Sequence, residues 1–292
     1  MITRYTAKTT ECRENYIFGV VYAQHPVPGV RRNRWQPSSE VQVKLNERRA
    51  VNRFSWLVHH NFDSSAICLH PTYRDDCLPE DEARFKKDIR NYIARVGRLY
   101  KKRGIEFKWI YSACYSESGR PHLHMIFSGG VIREEVEALW YFGRTNADRL
   151  QFDECGVMDL SRYMVGQRHE NAQRWSGSRN LVQPPEKTDK HNWSKKQLSA
   201  LKDMGYAEVH EFFNDLHPGF WLSEPPSLRV NPVDGSLYLE YQMYNPDSGN
   251  LEPYARRDAK EKAKKGRKTM KGEDQIAIRF FGGDASVAEG EG

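Results

Sequence analysis

His122 and His124 stand two residues apart at the head of a short apolar run, Pro121-His122-Leu123-His124-Met125-Ile126-Phe127. Side chains on a β-strand repeat every second residue, so the two imidazoles share one face while Leu123, Met125 and Phe127 point to the other, toward a core. Two imidazoles side by side on a strand suit a divalent metal. With 10 histidines in 292 residues, chance alone readily produces such a pair. Its meaning rests on whether the chain supplies a third ligand, a reactive group and the elements that hold them. Two imidazoles alone hold a hard cation weakly. Glu117, in the turn before the histidines, is a candidate third ligand and reads equally as a solvated turn residue.

The elements that must position these residues are legible in order. Residues 44–59 keep a helical spacing of Leu45, Val51, Phe54, Leu57 and Val58 against Arg48, Arg49 and Arg53. Ala66-Ile67-Cys68-Leu69-His70 reads as a buried strand stopped by Pro71. Residues 79–103 carry an acidic first turn, an apolar stripe from Phe85 to Tyr100, a basic last turn and Gly104 as a cap. Residues 105–114 alternate, and with the turn Ser116-Glu117-Ser118-Gly119 they predict a β-hairpin over 105–128. A helix is expected after Gly130, a short strand at Leu150-Gln151-Phe152, and a helix after Gly156 that carries Tyr163. The strands must largely be antiparallel with helices over the sheet, an α+β layout.

Beyond Pro184-Pro185 the chain is polar and lysine-bearing, then forms two small helices, around Lys195–Met204 and Val209–Leu216. A hairpin follows, with Ser227–Val230 and Ser236–Met243 joined through Asp234-Gly235. Near the N-terminus, Tyr16–Tyr22 could be a strand. Arg31, Arg32 and Arg34 beside Trp35 read as a solvated loop or a phosphate-contacting arm. Residues 256–271 hold nine Lys or Arg in 16 positions, suited to nonspecific phosphate contact, and residues 281–292 have a disordered composition.

The composition bounds the function. The net charge of +6 permits a nucleic-acid partner without demonstrating one. The five cysteines are irregularly spaced with no Cys-x-x-Cys, which argues against a zinc ribbon or a disulfide framework. No run approaches a membrane span and no signal-peptide stretch opens the chain, so a cytoplasmic protein with no membrane partner is expected. No Gly-x-x-x-x-Gly-Lys-[Ser/Thr] is present, so the chain carries no helicase motif of its own.

Taken together, Gly119-Arg120-Pro121-His122-Leu123-His124-Met125-Ile126-Phe127 resembles the metal motif of the HUH endonucleases, and specifically of rolling-circle replication initiators of phages and plasmids. Ala66–His70 with Tyr73-Arg74-Asp75-Asp76 resembles the family's first strand and its exit. Arg149-Leu150-Gln151-Phe152-Asp153 precedes the tyrosine helix as that pattern has it. Leu160-Ser161-Arg162-Tyr163-Met164 resembles the nucleophile helix, and Arg174-Trp175-Ser176-Gly177-Ser178-Arg179-Asn180-Leu181 a segment that follows it. The resemblance covers roughly residues 45–185.

It implies a ferredoxin- or RRM-like α+β endonuclease domain over 44–185, between an N-terminal extension (1–43) and a small helical and hairpin extension (186–255), with a basic then acidic disordered tail (256–292). It implies Mg2+ or Mn2+ held by His122, His124 and Glu117, with Tyr163 as a nucleophile forming a 5′-phosphotyrosine. Single-stranded or origin DNA is the implied substrate, contacted by Arg162, Gln167, Arg174 and Arg179, inside a bacterial host cell. A host helicase is an implied partner. The oligomeric state is not read from the chain.

Three departures bear on the chemistry: Cys114 stands on the face of the preceding strand where some relatives place a carboxylate, and a thiolate suits magnesium poorly; Gly166 stands where many relatives carry Lys, and Gln167 where a second tyrosine would fall. A single-tyrosine enzyme is therefore expected, with Arg162, Arg168 or Arg174 as substitute cations and Gln167 within reach of phosphate. The alternatives are a relaxase or single-tyrosine transposase of the same chemistry, or a noncatalytic nucleic-acid-binding module. For the segment Arg174–Asn180, phosphate contact or base stacking stands beside a role as a clamp on the sheet.

Overall fold

The computed structural model describes residues 4–13, 15–24, 40–116, 119–166, 174–188, 193–230 and 237–248. Its strands are β1 (Arg4–Cys12), β2 (Tyr16–Gln24), β3 (Ile67–Pro71), β4 (Trp109–Tyr115), β5 (Pro121–Phe127), β6 (Thr145–Arg149), β7 (Ser176–Gly177), β8 (Glu186–Thr188), β9 (Trp221–Leu222), β10 (Ser227–Val230) and β11 (Leu237–Tyr244). Its helices are α1 (Glu40–Asn61), α2 (Glu82–Arg103), α3 (Arg133–Glu137), α4 (Met158–Gly166), α5 (Lys195–Ala200) and α6 (Tyr206–Leu216). The fold is α+β with antiparallel sheets, as the order of elements predicts. The chain divides into two units: one contains residues 31–185, the other residues 1–30 and 186–246.

The first unit is built on a five-stranded sheet in the order β6-β3-β5-β4-β7, every pair antiparallel. One face is covered by α2. Its Phe85, Ile89, Tyr92, Val96 and Tyr100 follow the helical repeat and pack with Ile67, Leu69, Leu123, Met125 and Phe127. Fully burying each such side chain is worth about 1.5–3 kcal/mol, so this stripe pins β5 with its apolar residues down and its histidines up. The helix begins where the Asp81 carboxylate accepts the Arg84 N–H at 2.7 Å, and it ends at Gly104, whose φ of 68° suits a residue without a side chain. The opposite face of the sheet carries His122 and His124. The buried Phe54, Leu57 and Val58 of α1 and Met158, Met164 and Val165 of α4 form the apolar surfaces of the two helices that pack against each other.

Several elements differ from the sequence reading. The short strand expected at Leu150–Phe152 is instead β6, just before it. β6 is an edge strand whose one buried residue is Ala147, so it lacks an apolar alternation, while Leu150 and Phe152 are buried beyond its end. β4 starts at Trp109 rather than residue 105. Ile105 and Phe107 still pack onto the core, but the chain first closes α2 through Ile105 N–H to the Tyr100 carbonyl. The helix after Gly130 is only the five residues of α3.

The second unit joins segments read as separate extensions. Its sheet runs β10-β11-β2-β1-β8, with β9 on β11. Gly19 pairs with Tyr241 in the β2–β11 register, and a Cβ at Gly19 would stand 1.9 Å from the tyrosine ring, so the ring lies over a backbone that only glycine leaves bare. Ala7, Ile17, Val21, Leu239, Met243, Trp193, Leu198 and Phe213 share its core with α5 and α6. The Arg31–Trp35 cluster, the Asp234-Gly235 turn and the tail from 249 lie outside the described residues. Among the described residues no helix is long and apolar enough to cross a membrane.

Candidate metal and nucleophile site

Three adjacent strands place donor side chains on one face. The β4–β5 register sets Cys114 opposite His122 and Ser112 opposite His124. On the other flank Leu69 pairs with Met125, and an isolated bridge joins Thr72 to His122, which sets His70 opposite His124. His122 and His124 therefore lie in the middle, with Cys114 at one corner and His70 at the opposite one. Thiol and ring nitrogen donors of Cys114, His122 and His124 all lie within 4.8 Å of one another, the one such group of His, Cys, Asp or Glu among the described residues.

The environment of each donor differs. His124 is 2% exposed and Cys114 0%, while His122 and His70 are half-buried. The Cys114 S–H is directed at the Ser112 hydroxyl at 3.8 Å, and burial pushes its thiol above the ordinary range. His70 Nδ1 stands 2.6 Å from His124 Nδ1, and its Nε2 is 4.0 Å from Cys68 Sγ. Desolvation, reinforced by the charge of nearby His122, lowers the His70 pKa.

Tyr163 is brought over the same face by α4. Its ring centre is 4.7 Å from that of His124, edge to face, and the residue is 47% exposed. An exposed tyrosine thus stands beside an almost fully buried histidine. The position of α4 is fixed from beneath by α1. His59, buried in α1, bonds through Nδ1 to the Ser55 carbonyl at 2.7 Å, and its Nε2 accepts the Val157 N–H at 3.1 Å, just ahead of α4. Nε2 is thus the acceptor and Nδ1 carries the proton. Burial lowers the His59 pKa to about 4, so this imidazole is neutral. Gly156, at φ 65°, lets the chain pass the ring, since a Cβ there would lie 1.7 Å from Nε2.

The remaining predicted residues are placed unevenly. Glu117 and Gln167 lie outside the described residues, as does Arg168. Arg162, exposed on α4, donates to Asp159 at 2.7 Å. Arg174 is half-buried where the chain enters β7. Arg179 is exposed in the turn after Ser178, whose hydroxyl accepts the Trp109 N–H at 3.1 Å. That is the far end of β4 from Cys114, roughly 17 Å along a strand of five residue steps. Trp175 packs edge-on against Phe54 of α1 at 5.6 Å, and Asn180 donates to Glu106 and to the Phe107 carbonyl, just ahead of β4. Arg120 donates to the Tyr73 carbonyl at 2.8 Å and pairs with Asp75 at 2.6 Å, which ties the hairpin to the exit of β3.

His70 and His59 are the residues that sequence reasoning missed. His70 closes the apolar strand Ile67–Pro71, and a histidine ending a strand that must neighbour the histidine hairpin is the available signal. His59 carries no local signal, because its partner lies 98 positions away.

The donor set can be tested against the implied ion. Two imidazoles fit a divalent ion, and the half-exposed phenol above them fits a nucleophile. A fully buried thiol beside them does not fit Mg2+, which demands oxygen ligands and keeps several waters.

An antiparallel α+β domain with a histidine pair on its central strand and a tyrosine helix over that pair thus defines the class of site. Residues 67–168, from β3 past the end of α4, match the family model of the replication-associated protein ORF2. The match contains His70, Cys114, His122, His124 and Tyr163, and it supports a replication-initiator role, with the DNA binding such a role entails. Comparisons with curated proteins and with solved structures return no match.

Proposed function

We propose that this protein nicks and rejoins single-stranded DNA at a specific site through a 5′-phosphotyrosine on Tyr163, and so initiates rolling-circle replication of a phage or plasmid in a bacterial host cell. The observation that carries this reading is the 4.7 Å separation of the rings of the exposed Tyr163 and of His124 on the histidine face of the sheet. His122 and His124 would hold a divalent cation; the resemblance implies Mg2+ or Mn2+ with Glu117 as a further ligand, and of these two the buried Cys114 thiol beside the pair disfavours Mg2+. When bound, the cation supplies charge neutralisation at a nonbridging phosphate oxygen.

The chain's own residues then do the following. The Tyr163 hydroxyl forms a bond to phosphorus as the bond to the 3′ oxygen breaks. The phenol loses its proton and the departing 3′ oxygen gains one, so the exchange is balanced. The phosphodiester energy is kept in the phosphotyrosine, and the same atoms run backwards to rejoin the strand. A phenol with an ordinary pKa near 10 needs a neighbouring positive charge to lose its proton at neutral pH, and Arg162 and Arg174 are candidates beside the cation. Holding α4 rigid keeps the hydroxyl over the pair, which is the work of His59 and Gly156. The strand must be single or melted for its backbone to reach the sheet face. Recruitment of a host helicase goes with this role, since the chain has no helicase motif.

The test incubates the full chain with labelled single-stranded oligonucleotides from the cognate origin and Mn2+, followed by a denaturing gel. A band of protein-linked DNA, absent in Tyr163→Phe and in His122→Ala, is expected. No adduct with any origin-derived strand would overturn the proposal.

A further inference from the structure

We infer that Cys114, His122 and His124 form a thiolate-containing centre that takes a borderline, thiophilic divalent ion of the Zn2+ and Co2+ class in preference to Mg2+, with His70 as the residue that positions the His124 ring. The inference rests on reading the histidine pair as a metal centre, and it narrows which metal that centre takes.

Three observations carry it. First, a thiol stands beside the pair on the neighbouring strand, with the Ser112 hydroxyl as the one oxygen that the same strand sets opposite a histidine. Cys114 lies directly opposite His122, is fully buried, and falls within 4.8 Å of both imidazole donors. Second, the strand alternation that puts Cys114 on this face also puts Ile110 and Ser112 there, and among the described residues the donor cluster holds no carboxylate. Imidazole and thiolate donors suit Zn2+ and its neighbours. Mg2+ needs near-octahedral oxygen coordination. Third, His124 is held from behind. With its Nδ1 2.6 Å from His70 Nδ1, one of the two nitrogens carries a proton and the other accepts it.

A ligating histidine gives one nitrogen to the metal and its other N–H to an acceptor, which fixes tautomer and ring orientation. His124 Nδ1–H donating to His70 Nδ1 meets that need and leaves the remaining ring proton of His70 on Nε2, facing Cys68 Sγ at 4.0 Å. On metal binding the Cys114 thiol becomes a thiolate and its proton passes to solvent.

The experiment titrates the full chain, freed of metal by a chelator, with Co2+ and records its absorption spectrum. A near-ultraviolet sulfur-to-cobalt charge-transfer band and intense visible bands of low-coordinate cobalt are expected. Stoichiometric Zn2+ should abolish them, and millimolar Mg2+ should not. Cys114→Ser should lose the charge-transfer band. His70→Gln should keep the band and weaken Co2+ binding by about 10–100-fold.

A wild-type cobalt complex without the sulfur band, or displacement of cobalt by Mg2+, overturns the metal assignment. That spectrum decides without any variant, should one misfold. Unchanged affinity in His70→Gln overturns the positioning role. The spectrum is independent of DNA cleavage. Adduct formation without a sulfur band sinks this inference alone, and a sulfur band without any adduct sinks the nuclease reading alone.

Discussion

The Val157 N–H donates to His59 Nε2 at 3.1 Å, and this bond joins the buried face of α1 to the start of the helix that carries Tyr163. Its consequence is a pH dependence. His59 titrates at about 4 in the fold against an ordinary 6.5. Above pH 6.5 the ring is neutral in both folded and unfolded chains. Below it the unfolded chain gains a proton that the folded one refuses, so stability falls as pH drops from 6.5 toward 4 and levels off beneath. A difference of this size corresponds to about 3 kcal/mol at most. Melting curves against pH should show this acid slope in the wild type and a shallower one in His59→Gln. Superimposable slopes would argue against a neutral, bonded His59.

Gly156 should tolerate no side chain. Its φ is 65°, and a Cβ would meet His59 Nε2 at 1.7 Å. Gly156→Ala is expected to cost roughly 2–4 kcal/mol in denaturant unfolding and to reduce adduct formation, because α4 must shift. Gly166→Ala, where nothing lies within 4 Å, is the control. It should leave stability unchanged or raise it by up to about 1 kcal/mol.

The sheet that joins the two ends of the described chain should fail as a whole. Gly19→Ala drives a methyl into the Tyr241 ring. Hydrogen exchange should show protection lost together in β1, β2, β10 and β11, and retained in β3, β4 and β5. Loss confined to β1 and β2 would mean that β2 and β11 do not stabilise each other.

Among the exposed arginines, position along the sheet orders the expected effects on single-strand binding. Arg162→Ala, on α4 beside Tyr163, should weaken binding and lower the salt slope by about one. Arg179→Ala, at the far end of β4, should do less. Equal losses would show that the strand runs the length of the sheet.

The parts of this fold that announce themselves in the sequence have a period. The α2 stripe from Phe85 to Tyr100, with Asp81 and Gly104 at its ends, and the alternation through His122 and His124 are readable because burial on one face leaves a regular mark. β6 leaves none, being an edge strand with one buried residue. β1 is hidden because its Ala7, Thr9, Thr10 and Cys12 are small or polar and its partners are set by tertiary pairing. At the site, the pair is legible from its spacing, and Tyr163 only through the family resemblance of its helix. His70 and His59 act across elements, and such roles appear only once strands and helices are laid side by side.

The proposed uptake of the DNA phosphate by Tyr163 is read most directly by tandem mass spectrometry of the nuclease-trimmed, protease-digested adduct. A nucleotide phosphate is expected on the peptide containing Tyr163, with fragment ions placing it on that side chain. A phosphate on another tyrosine, or on no tyrosine while the strand is cut, would contradict it.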